Sequence, residues 1–114
     1  MNKEFYDLAH VIANWHTQTF PDADKTGQLL KLDEEFEELV EADSDDELKE
    51  LADCFIVAAA LAYRYDAFVG LFTMRAIVKH VADADGFLYD AIVAKMEVNR
   101  ARQWKKQANG SYHH

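Results

Sequence analysis

Apolar residues recur along most of the chain at intervals of three and four, the period of one face of an α-helix. Phe5, Leu8, Ile12 and Trp15 form the first such stripe, and the segment TFPDADKTG interrupts it with Pro21 and Gly27. A second helix is predicted from about Gln28 to Ala42, with Leu32, Phe36, Leu39 and Val40 as its apolar side. The acids of DSDD then supply a turn and an N-cap for a third helix, from about Asp46 to Tyr65. This helix begins amphipathic and becomes apolar on every side from Cys54 to Ala62, which places it in the middle of a bundle or an oligomer. A fourth helix is predicted around Phe68 to Ala82, ending near DADG, and a last one from about Phe87 to Trp104, followed by a polar tail at 105–114. Strand-type alternation never lasts. The expected fold is all-α, a four- to five-helix bundle completed by oligomerisation as a homodimer or homotetramer, because the third helix is too apolar for a thin monomeric bundle.

Composition narrows the picture. A chain of 114 residues that is half apolar fits one domain spanning 1–114, with no internal repeat. The net charge of −9 argues against a nucleic-acid partner, whose phosphates need clustered Lys and Arg. It leaves room for small phosphate compounds, since a divalent metal on carboxylates reverses the local sign. The lone Cys54 cannot form an internal disulfide and reads as a small buried hydrophobe suited to a reducing compartment. MNKEFYDLAHVIANWH lacks the apolar centre of a signal peptide, and the longest apolar run, Cys54 to Tyr63, is about half of a membrane span. A cytoplasmic location with no membrane partner is expected.

Candidate chemistry lies where core-facing stripes turn polar. On the second helix Glu35 and Glu38 are three apart and share a face, with Lys31 and Glu34 beside them. On the third, Glu50 and Asp53 are again three apart, and their face continues as Val57, Ala60 and Leu61, so Asp53 is expected to be at least partly buried. A buried carboxylate must be protonated, hydrogen-bonded, paired or metal-bound, and Lys49 is the only base between Asp33 and Asp53. Two pairs of acids on consecutive antiparallel helices can converge into an oxygen cluster suited to Mg²⁺ or Mn²⁺. The neighbouring Glu34, Glu37, Glu41 and the turn acids read, by pattern alone, as solvated surface. On the last helix the face of Leu88 and Ile92 continues as Lys95, Asn99 and Arg102. These side chains suit phosphate recognition, Arg102 best of all, or else pair with the acids as structural ion pairs.

Taken together, EEFE with Glu38, then ELAD, then KMEVNRARQW resemble the MazG-like members of the all-α nucleoside triphosphate pyrophosphatase superfamily. Segments such as WHTQTFP and GQLLKLDEEFEEL are similar to short, often phage-encoded members and to the related dATP/dGTP diphosphohydrolases. The resemblance implies conversion of an NTP or dNTP to the monophosphate and pyrophosphate, for nucleotide-pool control. It implies Mg²⁺ on Glu35, Glu38, Glu50 and Asp53, with Glu34 or Glu38 orienting or deprotonating the attacking water. Lys31, Lys95 and Arg102 would hold phosphate oxygens, and Asn99 would contact sugar or phosphate. Trp15, Phe20 and Trp104 are candidate stacking surfaces for the base, although each also reads as core or interface, and Trp104 is off the Lys95–Asn99–Arg102 face. His10, His16 and His80 read as ordinary polar residues. The chain departs from the family pattern in a longer stretch between Gly70 and Gly86 and in Asn109-Gly110, where relatives often carry Asp-Gly. The competing function is a non-enzymatic helical interaction module whose acids serve solubility. A di-iron bundle is disfavoured, because the paired Glu-x-x-His motifs it needs do not occur.

Overall fold

The computed structural model describes residues 1–102, 104–106 and 112–113; Asn109, Gly110 and His114 lie outside the described residues. Helix α1, Lys3–Thr19, starts at Asn2, whose side chain accepts the N–H of Phe5. Helix α2 is Lys25–Glu41, about one turn longer at its start than the sequence suggested. The reason is Asp24: its carboxylate accepts the Gly27 N–H at 2.7 Å, so Gly27 is a buried position of the first helical turn and not a break.

Helix α3, Glu47–Arg64, follows a short turn in which the Asp43 carboxylate accepts the N–H groups of Asp45 and Asp46 at 3.1 Å each. Asp46 is the N-cap residue, but its side chain makes no capping bond; the turn is held by Asp43. Helix α4, Ala67–Val81, is capped by Asp66, which accepts the Val69 N–H at 3.1 Å. It breaks at Ala82, a non-glycine at φ 51°, and the single 3₁₀ turn Ala82–Ala84 leads into α5, Asp85–Ala101. Beyond it, within the polar tail, Lys105–Lys106 pairs antiparallel with Tyr112–His113. The described residues thus form an all-α bundle of five α-helices.

Helix α3 is the spine: it packs against α1, α2, α4 and α5. Its all-round apolar stretch is therefore buried within one chain, from Cys54 through Ala62. The sequence argument that this helix needs a second copy to cover it does not hold, because four helices of the same chain do so. Small side chains make this possible. Ala58 and Ala59 are fully buried, and Gly70 of α4 crosses so close to Ala62 that an added Cβ would collide with the Ala62 backbone. Around this spine Phe5, Ile12, Phe55, Leu61, Met74, Leu88, Ile92 and Met96 fill the core, each large side chain contributing about 1.5–3 kcal/mol by leaving water.

Candidate active site

Helices α2 and α3 run antiparallel, so residues early in α2 meet residues midway along α3, and residues late in α2 meet the start of α3. At one end Gln28 donates to the carbonyl of Val57 at 3.0 Å. At the other, one carboxylate oxygen from each of Glu35, Glu38, Glu50 and Asp53 lies within 4.8 Å of the others. The turn held by Asp43 fixes this register, and the shared face of each i, i+3 pair does the rest.

The cluster is electrostatically costly as it stands. Glu35 is only 7% exposed, and Glu35 Oε2, Glu50 Oε2 and Asp53 Oδ1 are buried with no hydrogen-bond partner. Burial pushes the Glu35 carboxyl up to about 7; Lys31 works against this, while Asp53 and Glu38 add to it. Glu50 is raised by burial and then by Asp53 and Glu38. Burial also raises Asp53, although Lys95 pulls the other way. Two lysines give partial relief. Lys31 Nζ lies 3.3 Å from Glu35 Oε1 and 3.7 Å from Glu34 Oε2, and Lys95 Nζ lies 3.4 Å from Asp53 Oδ1. The Lys95 contact is long, and it leaves coordination capacity on Asp53 Oδ1. Converging carboxylate oxygens with unmet coordination capacity fit a hard divalent cation, which prefers oxygen ligands.

Every candidate residue from the sequence lines one pocket of about 360 Å³: Trp15, Lys31, Glu34, Glu35, Glu38, Glu50, Asp53, Lys95, Asn99, Arg102 and Trp104. The ion-pair reading of the basic line is therefore right for Lys95, which pairs with Asp53 while still facing the pocket. Trp104 enters by a route that helical phase does not give. Helix α5 ends at Ala101, Arg102 is extended at φ −82°, ψ 154°, and the chain swings the indole round so that its Nε1 donates to the Asn99 carbonyl at 3.2 Å. Its ring then meets Trp15 and Phe20 edge-on, at centroid distances of 6.3 and 5.3 Å.

Sequence reasoning missed His16, Gln28 and Lys49, which line the same pocket with Ile56 and Val57. His16 is not an ordinary polar residue: it is buried, and its Nδ1 lies 2.7 Å from Nη1 of Arg64. Burial and the Arg64 charge bring its pKa down to about 3. His10 and His80 do behave as exposed polar residues, His10 against the Tyr63 ring at 4.0 Å and His80 against Glu47 at 3.0 Å.

The fold and pocket define a class, that of all-α bundles that gather acids, cations and aromatic rings around one cleft. Among known proteins the chain is similar to a dATP/dGTP diphosphohydrolase of Cyanophage S-2L, with 32% identity over 108 residues, covering 95% of this chain and 85% of that protein. The chain belongs to the family of that diphosphohydrolase. No family model matches it, and no solved structure matches it significantly.

Proposed function

We propose that this protein is a Mg²⁺-dependent nucleoside triphosphate pyrophosphohydrolase of the MazG-like superfamily, with Mn²⁺ able to substitute. The observation that carries the reading is the cluster of Glu35, Glu38, Glu50 and Asp53, in which one oxygen from each lies within 4.8 Å of the others and three carboxylate oxygens are buried without a hydrogen-bond partner. The relative's activity on dATP and dGTP supports a triphosphate substrate.

A divalent cation would supply charge neutralisation for the phosphates and would make a water more acidic. Glu35, Glu38, Glu50 and Asp53 hold it. Glu34, paired with Lys31, lines the same pocket, and we assign it the proton of the attacking water. The water oxygen bonds to the α-phosphorus, the bond from that phosphorus to the α,β-bridging oxygen breaks, and pyrophosphate leaves. Lys31, Lys95 and Arg102 would bind phosphate oxygens, Lys95 from its place beside Asp53. Trp15, Phe20 and Trp104 enclose the base.

Assembly as a homodimer or homotetramer is supported by exposed apolar side chains, not by the buried spine: Val40 is 84% exposed, Phe68 80% and Phe72 68%. Among the described residues no helix is long and apolar enough to cross a membrane. The role we propose is nucleotide-pool control in the cytoplasm.

The test is pyrophosphate release from every canonical NTP and dNTP plus dUTP, with Mg²⁺ and with EDTA. Mg²⁺-dependent pyrophosphate is expected. Orthophosphate as the first product, or turnover undiminished in EDTA, refutes the reading.

A further inference from the structure

The end of the pocket away from the carboxylates is lined by His16 and Gln28, each held by a hydrogen bond to a distant part of the chain. Arg64 only donates, so His16 Nδ1, at 2.7 Å from its Nη1, must be the accepting nitrogen. The ring is therefore the neutral tautomer with its proton on Nε2, in keeping with a pKa brought down to about 3. The Nε2–H of His16 is thereby the donor that this ring offers within the pocket it lines together with Gln28. The Gln28 amide nitrogen then donates one hydrogen to the Val57 carbonyl at 3.0 Å. Its second N–H remains for whatever enters the pocket.

This is a poor place for phosphate. Arg64 spends its charge on His16, on the Phe20 carbonyl at 2.9 Å and on the Pro21 carbonyl at 3.5 Å, and the imidazole in front of it is held neutral. Gln28 precedes Glu35 by seven residues of α2, about 10 Å along the helix, so a molecule with its phosphates at the acids reaches Gln28 with a different part. Trp15, Phe20 and Trp104 stand around that part, which calls for a flat, uncharged ring. Asn99 points the same way: it is only 6% exposed, it lines the pocket beside Trp104, and its Oδ1 is buried without a partner.

We infer that Gln28 is a base-reading residue, offering one fixed N–H to a hydrogen-bond-accepting atom on the edge of the nucleobase, and that His16 and Arg64 are positioning residues that lock its amide in that orientation. The inference rests on the triphosphate-hydrolase reading above and adds which residue recognises the base. An aromatic slot alone tolerates any base, whereas a buried donor left unpaired penalises a ligand that lacks the matching acceptor.

The experiment compares kcat/KM for pyrophosphate release by the full-length protein on dATP and dGTP with their 1-, 3- and 7-deaza counterparts, each lacking one ring acceptor, and on dGTP with its 6-thio counterpart. One of these changes is expected to lower kcat/KM by about tenfold or more in the wild type. In Gln28→Met the same change should cost nothing further, and His16→Phe should erase the same ratio, which a purely structural histidine would leave intact. Wild-type ratios surviving in a folded Gln28→Met overturn the inference while leaving the hydrolase reading in place. No pyrophosphate release by the wild type from any substrate overturns both. If Gln28→Met does not fold, the wild-type series alone decides, and indifference to every change refutes a reading by Gln28.

Discussion

Replacing Glu35 by Gln keeps the shape of the side chain and removes one charge from the centre of the acid cluster. In the metal-free protein Glu35 is 7% exposed and its carboxyl is raised from 4.5 to about 7, chiefly by burial. For an acid raised on folding, the penalty is absent below its unfolded pKa, grows as pH rises and is complete above its folded pKa. Metal-free protein therefore loses stability from this group between 4.5 and about 7. The full loss is at most about 3 kcal/mol, and solvent screening at the pocket mouth brings it nearer to about 2 kcal/mol. Glu35→Gln should thus be more stable than wild type in EDTA at about pH 8, by about 5 °C or more in Tm, with the difference vanishing at about pH 4. Added Mg²⁺ should raise the Tm of the wild type and leave that of the variant nearly unchanged, and the variant should lose turnover. Urea and thermal melts at the two pH values, with and without Mg²⁺, supply all the comparisons. A variant less stable than wild type in EDTA at the higher pH would refute the reasoning, because it would mean the carboxylate is satisfied by protein groups alone.

Other expectations follow from single contacts. The His16 ring resonances should not titrate between about pH 5 and 8 in NMR spectra, and its proton should sit on Nε2; a midpoint near 6.5 would show that neither burial nor Arg64 governs it. Gly70→Ala should cost about 2 kcal/mol or more in chemical denaturation, since the new Cβ meets the Ala62 backbone and neither helix can yield cheaply; a neutral result would mean that α3 and α4 are not so closely apposed. The Cys54 thiol is fully buried and pushed up to about 12, first by burial and then by the nearby acids. It should resist iodoacetamide until the chain unfolds, and fast labelling of native protein would contradict the packing of α3.

Much of this could be read from the chain because the informative features are local. The i, i+3 acids on two successive helices and the Lys95–Asn99–Arg102 line needed only the helical period to place them on common faces. Boundaries were harder where a single cap decides: Gly27 looks like a break until Asp24 is seen bonding its N–H. Trp104 is off-face only for a helix that continues past Ala101, where α5 ends. His16 and Gln28 were out of reach for a different reason. What makes His16 part of the pocket is Arg64, 48 positions away, and what orients Gln28 is a backbone carbonyl 29 positions away. A lone polar residue on a helix carries no sign of such partners. Nor does the sequence tell whether an apolar helix is covered by its own chain or by another copy, and here its own chain covers α3.

The central claim is that Glu35, Glu38, Glu50 and Asp53 tolerate each other because a divalent cation joins them. Titration of Mn²⁺ into the metal-free protein, followed by the loss of the free-ion EPR signal, tests it directly. The account predicts saturable binding by the wild type at about pH 8, displaced by Mg²⁺ and weakened about tenfold or more in both Glu35→Gln and Asp53→Asn. Wild-type protein that leaves the free-ion signal untouched, or variants that bind as the wild type does, would contradict it.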